Sequence, residues 1–395
     1  MRALSDWDSW VSSRLDRLER DGLMRRLRPA DHTSARTVRR EGPELVNFSS
    51  NDYLGLSRHP AVLAGSERDL RKGAGATASR LMAGTDYDYV ALENALAFFK
   101  GTEAALVFGS GYLANVGTIP ALVGHGDAVF SDRLNHASIV DGMLLSGAAI
   151  RRYRHNDMED LEQMLREHRG TGRKLIVTET LFGMDGDLAA LEKIVELKNR
   201  YGAALMVDEA HAVGVYGPQG RGLAHQLGLQ DEVDVHMGTF SKAFGLYGGY
   251  IATRRSWADY LVNSARSFVY TTALPPALIG GAGAAIEIVM ASDHLRDRIR
   301  ELSALFREGL AGLGLDAGTS SSQIQPVVVG EADRVVELGA RLEELGVLAV
   351  PIRPPTVPQG GARLRFSICA THTEDDIAAA LAALKTATGV DVAAG

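Results

Sequence analysis

The chain has 395 residues, 46% hydrophobic and 23% charged, with 43 Gly and 12 Pro, a globular composition long enough for one large core and a smaller second domain. A formal net charge of −7 argues against a surface built for nucleic acid or anionic membrane, and a single cysteine, Cys369, excludes an internal disulfide and any multi-cysteine zinc site. No stretch approaches the roughly 20 apolar residues that span a bilayer, and the charged N-terminus lacks the apolar core of a signal peptide, so a cytoplasmic protein is expected.

Residues from about 5 to 28 set Trp7, Trp10, Val11, Leu15, Leu18 and Leu23 at helical spacing among charges, which predicts an amphipathic helix packed on something larger. Leu45 to Ser49 reads as a short strand leading into the loop NDYLGLSRHP. From about 60 to 290, apolar runs of strand length recur at Ala104–Phe108, Ala128–Ser131, Lys174–Thr178, Ala204–Asp208 and Val233–Gly238. Helical stretches such as Asp157–His168 and Leu191–Tyr201 lie between them. Short apolar strands separated by helices imply a mainly parallel sheet covered on both faces, with functional residues at the carboxyl ends of the strands. After about 290 a charged helix pattern, Asp293–Gly312, precedes short strands near Gln325–Val329 and Arg363–Cys369 and helices at Ala332–Leu345 and Thr373–Thr386. The expected division is a helix and arm over 1–45, a large domain over 46–290 and a small α+β domain over 291–395. Cys369 falls in the apolar stretch Leu364 to Ala370 and reads as a buried packing residue.

Four stretches can carry chemistry. Ala204-Leu205-Met206-Val207-Asp208-Glu209-Ala210-His211 is an apolar strand that ends in two carboxylates. Asp208 therefore stands at the edge of the expected site, although a strand-end aspartate also caps turns. In Gly238-Thr239-Phe240-Ser241-Lys242-Ala243-Phe244-Gly245 a lysine sits amid small, apolar and hydroxyl residues with no acid close by. Burial lowers an amine's pKa from about 10.4 and can leave it nucleophilic. A carbonyl cofactor exploits such an amine, and pyridoxal phosphate (PLP), with a lysine Schiff base and an acidic partner for its pyridinium, is the matching pattern. Gly109-Ser110-Gly111-Tyr112 joins a strand to a helix, where backbone N–H groups and the Ser110 hydroxyl can grip a phosphate; taken alone it is only a turn. The glycine-rich stretch Gly73–Ser79 follows a charged helix-like segment and not a strand, so a dinucleotide-binding reading fails its context. His136 follows the Ala128–Ser131 strand, where a histidine can stack on a cofactor ring, assist proton transfer as a catalytic residue, or serve as a structural hydrogen-bonding residue.

Together these stretches resemble the α-oxoamine synthase family over nearly the whole chain. The matching blocks are NFSSNDYLGLS (47–57), SGYLAN (110–115), NHASIVDG (135–142), VTETLFGMDGD (177–187), VDEAHAVGVYGPQGRG (207–222), GTFSKAFG (238–245), YTTALPP (270–276) and RPPTVPQGGARLR (353–365). The resemblance implies a fold-type-I PLP-dependent transferase that acts as a homodimer with shared sites. It makes Lys242 the Schiff-base lysine and proton-transfer base, Asp208 the partner of the pyridine nitrogen, His211 a contact of the phenolic oxygen and His136 a stacking residue. Ser110, Gly111, Tyr112 and Thr239 would hold the phosphate, and Thr271 or Thr272 a phosphate in the partner subunit. Arg365 would clamp the amino-acid carboxylate, for which a planar fork is suited. Asn51 and Thr356 would line the acyl channel, and one of Arg25, Arg26 and Arg28, with Arg25 favoured, would meet a distal carboxylate. Gly183 departs from the family, which commonly has serine there. The last block points to the branch that condenses L-alanine with a pimeloyl thioester, carried by coenzyme A or acyl carrier protein. The alternatives are a sibling synthase using glycine and acetyl-CoA, an aminotransferase on the same fold, and a non-catalytic PLP-binding protein.

Overall fold

All five apolar runs of the long middle segment become strands of one sheet in the computed structural model, which describes residues 6–389. Seven strands form that sheet: β1 (Ala104–Phe108), β2 (Ala128–Asp132), β3 (Ala149–Tyr153), β4 (Lys174–Glu179), β5 (Ala204–Asp208), β6 (Val235–Thr239) and β7 (Gly249–Thr253). Their order is β1-β7-β6-β5-β4-β2-β3, with β7 antiparallel to both β1 and β6 and the other pairings parallel. Alternate residues feed opposite faces. Val129, Leu175, Val177, Met206 and Met237 join a core with the helices Gly111–Leu122 and Ala137–Ser146. Phe130, Ile176, Leu205 and Val207 join another with Met158–Glu167 and Leu191–Tyr201. Burial on both faces is why these strands read as continuous apolar runs.

Two strands have no counterpart among the predicted runs. In β3, Ala149-Ile150-Arg151-Arg152-Tyr153 is an edge strand whose arginines face solvent. In β7, a short segment that opens on Gly249 is antiparallel and follows a glycine-bearing turn.

Packing divides the chain into two units: Met1–Ser50 with Glu301–Ile368 and His372–Gly395, and Asn51–Arg300 with Cys369–Thr371. The sequence division gave residues 1–45 an arm of their own. Instead Val347–Leu348 pairs in parallel with Val46–Asn47, and Arg36 Nη1 donates to Asp376 Oδ2 at 2.7 Å, which ties that arm to the C-terminal segment. The smaller unit also holds a three-stranded antiparallel sheet with Ala362–Ser367 between Ile324–Gly330 and Val350–Ile352. Its core gathers Phe48, Phe306, Val327, Phe366 and Ile377. The N-terminal helix runs Asp6–Arg20 and buries no residue; Trp7, Trp10, Val11, Leu15 and Leu18 are exposed, contrary to the packed face expected of it. Cys369 is buried as expected. Among the described residues no single helix is long and apolar enough to cross a membrane.

Candidate active site

The large unit brings together residues from the carboxyl ends of β4, β5 and β6 and the loops after β1 and β2. Ser110, Gly111, Tyr112, His136, Asp208, His211, Thr239 and Lys242 line one cavity of about 190 Å³, with Ser138, Glu179, Ala210, Met237 and Ser241. Strand topology explains the convergence. Parallel strands end on one side, so residues more than 100 positions apart in sequence meet there.

The Lys242 loop is fixed by its own turn. Gly245 N donates to Lys242 O at 2.8 Å, Phe240 N to Gly248 O at 3.0 Å, and Thr239 Oγ1 to Gly248 O at 2.7 Å. Gly245 has φ 68, and a Cβ there would stand 2.2 Å from Ser57 N, so only glycine closes this turn. At the other end of the cavity Ser110 caps the helix Gly111–Leu122, its Oγ accepting from Leu113 N at 3.1 Å. A Cβ on Gly249 would meet Gly111 N at 2.6 Å, so the glycine lets β7 lie against the start of that helix.

Asp208 is buried but hydrogen-bonded: Ala210 N donates to its Oδ1 and Asn115 Nδ2 to its Oδ2, both at 2.9 Å. Asn115 Nδ2 also donates to Ser138 Oγ at 2.9 Å. His136 Nδ1 accepts the Ser138 backbone N–H at 3.2 Å and faces its hydroxyl at 2.7 Å. The His136 proton therefore sits on Nε2 of a neutral ring. Burial lowers the His136 pKa and so does Lys242, while Asp208 opposes them. His211 Nδ1 lies 2.7 Å from Tyr53 Oη, which in turn donates to Asn51 Oδ1 at 3.2 Å. A chain of polar contacts thus links Asn51 to the cavity.

Glu179 is a cavity residue that no sequence argument singled out. It closes β4 as Asp208 closes β5, and its Oε1 accepts from His136 N at 2.6 Å. Burial, with Asp208 adding repulsion, pushes its pKa up to about 8. Behind Asp208, Glu209 is buried and accepts from Lys100 Nζ at 2.6 Å and Ala224 N at 3.1 Å. Burial works against that carboxylate, yet Lys100 and His236 outweigh it and hold its pKa well below the usual range.

Gly183 does not line the cavity but adjoins His211: a Cβ there would stand 2.4 Å from His211 Nε2. Thr271 and Thr272 follow the helix Arg266–Val269 and do not line this cavity, with Thr272 bridged to Ser79. In the smaller unit Arg365 is buried on its central strand and donates from Nη1 to Ser367 Oγ at 2.7 Å. The same unit places Arg25 Nη2 3.2 Å from Thr356 Oγ1. Arg26 instead pairs with Glu19 at 3.2 Å, and Arg28 with both carboxylate oxygens of Glu343 at 2.8 and 2.7 Å. The stretch Gly73–Ser79 follows the helix Pro60–Leu70 and no strand, in keeping with its rejection as a dinucleotide loop.

These donors fit PLP. A buried carboxylate lies in the floor, a lysine enters from the loop after β6, and a helix N-terminus ringed by Ser110, Thr239 and Ser241 offers an anion cradle. Fold and site together define a fold-type-I PLP enzyme. The family described as aminotransferase class I and II matches residues 43–384. The 8-amino-7-oxononanoate synthase of Geobacter sulfurreducens is 51% identical over 377 residues, covering 95% of this chain and 96% of the relative. That of Citrifermentans bemidjiense is 48% identical over 360 residues, covering 91% and 92%. Among solved structures, serine palmitoyltransferase from S. paucimobilis with a bound PLP–myriocin aldimine has a TM-score of 0.92 at 32% identity, covering 98% of this chain and 99% of that one. The 8-amino-7-oxononanoate synthase of Francisella tularensis has a TM-score of 0.76 at 28% identity, covering 87% and 98%. The chain belongs to the aminotransferase class I and II family and, within it, to the α-oxoamine synthases, whose cofactor is PLP.

Proposed function

We propose that this chain is an 8-amino-7-oxononanoate synthase, which condenses L-alanine with a pimeloyl thioester and releases the thiol and carbon dioxide. The observation that carries the reading is the joint one: relatives of that name match at 47–51% identity, on a chain whose cavity gathers Lys242, Asp208, His136 and His211. Serine palmitoyltransferases share the fold at 32–33% identity and the Francisella tularensis synthase at 28%, so the structural neighbours support the family and its cofactor, while the branch rests on the sequence relatives.

PLP supplies an electron sink for the pair left at Cα when an amino acid loses a proton or a carboxylate. The residues divide the remaining work. Lys242 would anchor the cofactor through its amine and would serve as the base that takes the Cα proton of alanine. Asp208, held by Ala210 N and Asn115, would pair with the ring nitrogen. His136 would stack on the cofactor ring, and His211 would meet its phenolic oxygen. Ser110, the backbone of Gly111 and Tyr112, and Thr239 bind the phosphate. Thr271 or Thr272 serves the phosphate of a partner subunit, and Gly183 adjoins the cofactor through His211.

Arg365 binds the alanine carboxylate, while Asn51 and Thr356 line the acyl channel. Arg25 takes the distal carboxylate of the pimeloyl group. Its neighbours Arg26 and Arg28 are already neutralised by Glu19 and Glu343, whereas Arg25 meets the uncharged Thr356 hydroxyl. The working form is a cytoplasmic homodimer. Exposed Leu81, Met82, Tyr87, Leu144, Leu145 and Tyr270 on the large unit offer the apolar surface a second copy would cover.

The test mixes the holoenzyme with pimeloyl-CoA or the pimeloyl carrier-protein thioester and each of L-alanine, glycine and L-serine, and follows thiol release. Release that depends on L-alanine supports the reading. Release with glycine alone moves the chain to a sibling branch, and formation of pyridoxamine phosphate without thiol makes it an aminotransferase.

A further inference from the structure

His155 lies in the loop after β3 and does not line the cavity. Its Nδ1 stands 3.0 Å from Asp132 Oδ1 and its Nε2 2.8 Å from Asp187 Oδ2. Ionised carboxylates only accept, so both ring nitrogens must carry protons and the ring is a cation between two anions. We infer that His155 is a positioning residue of the active site, locking together the two loops that carry His136 and Gly183. The inference rests on the PLP site described above.

The two carboxylates stand at the feet of different loops. Asp132 ends β2, and the chain runs from it through Asn135 to His136. Asp187 closes the turn that begins at Phe182, where Phe182 N donates to Asp187 O at 3.0 Å and Gly186 N to Phe182 O at 2.9 Å. Gly183 sits inside that turn, its backbone against His211. The His155 ring also meets the Phe182 ring edge-on, with centroids 4.5 Å apart at 89°. One imidazolium therefore touches the foot of the His136 loop, the foot of the Gly183 loop and the residue preceding Gly183.

Its neighbour repeats the connection: Asn156 N donates to Asp132 Oδ2 at 2.9 Å, and Asn156 Nδ2 to Asp187 Oδ2 at 2.9 Å and Leu188 O at 3.0 Å. Asp132 and Asp187 are buried, so losing the cation would leave two carboxylates close together in a poorly solvated place. The cheapest relief is for the loops to part, which moves His136 and the wall behind His211. Burial, the largest influence on the His155 pKa, pulls it down, but the bonds and charges of Asp132 and Asp187 together push it up to about 10. The clamp is therefore closed across the neutral range.

His155→Gln tests the clamp, because a neutral amide removes the cation and its two N–H groups share one nitrogen, whereas the imidazolium donates from two separate nitrogens to the two aspartates. Asn156→Gly is a milder second variant that keeps the left-handed backbone, φ 52, while removing the bonds to Asp187 and Leu188. Apoprotein of each is titrated with PLP and its bound-cofactor absorption spectrum recorded, neither of which needs an acyl substrate. The inference predicts PLP binding about tenfold weaker in His155→Gln, a shifted absorption band, and a raised KM for L-alanine with the thioester KM unchanged. Asn156→Gly should change each in the same direction and less. A lower melting temperature alone, with PLP affinity, spectrum and KM as in the parent, would reduce His155 to a stabilising residue and overturn the inference. Absence of thiol release from the parent would instead count against the proposed reaction and leave the titration readable.

Discussion

Gly183→Ala isolates the contact between a bare backbone and His211. The new methyl carbon would lie 2.4 Å from His211 Nε2 and 2.9 Å from Cδ2, against an ordinary separation of about 3.5–4.0 Å. The imidazole must therefore retreat by roughly 1 Å. Its Nδ1 is held 2.7 Å from Tyr53 Oη, and that distance cannot survive the shift. Gly183 is not among the residues with positive φ, so alanine adds a collision without backbone strain. One hydrogen bond to a charged oxygen of the cofactor is worth about 1.5–3 kcal/mol, and a misplaced His211 forfeits part of it. A loss of about 1–2 kcal/mol corresponds to PLP binding about five- to thirtyfold weaker. Titration of the apoprotein with PLP, followed by absorbance, measures this directly. Serine at the same position brings the same Cβ and should behave like alanine. Unchanged affinity and spectrum in both variants would refute the placement of His211.

Lys242→Ala should lower turnover by about 10³-fold or more, since one amine serves as anchor and base; thiol release at the parent rate would sink that assignment. Arg25→Ala should raise the KM for pimeloyl-CoA by about tenfold or more while leaving that for an acyl-CoA without the distal carboxylate unchanged; equal effects on both would remove Arg25 from that role. Glu179 has a folded pKa of about 8 against an ordinary 4.5, so its contribution to stability is present below about pH 4.5 and lost as pH rises through 8. Glu179→Gln should therefore raise the melting temperature of the cofactor-free protein at pH 9 and leave it little changed at pH 4.5, and the opposite ordering would contradict the burial argument. Lys100→Met strands the Glu209 carboxylate and should cost about 3–5 kcal/mol in denaturant unfolding, with Lys100→Met/Glu209→Gln costing less than the single change.

Much of the site was legible because its residues close apolar runs. Asp208 stands where β5 stops, and Lys242 in a loop without acids, so strand periodicity and local composition located both. Glu179 offered the same signal at the end of β4 but was read only as part of a matching block. Asn115, Ser138 and Tyr53 gave no such signal, since what they do depends on helices and loops brought together by strand order. His155 could not be found either, because its two aspartates lie 23 and 32 positions away on separate loops. The edge strand β3 escaped for a related reason: its arginines obey the solvent on one side and mask the buried Tyr153 on the other. The N-terminal helix shows the converse. Its apolar stripe was visible in sequence, but a stripe states only that a partner surface is wanted and not where it is.

In the proposed condensation the amino acid loses its own carboxylate. The holoenzyme should be incubated with pimeloyl-CoA and L-alanine carrying a labelled carboxyl carbon, and labelled carbon dioxide and free thiol counted together. Equal amounts of the two are expected, with the remaining alanine carbons in an amino ketone. Thiol without labelled carbon dioxide, or label left in an oxo acid, would contradict it.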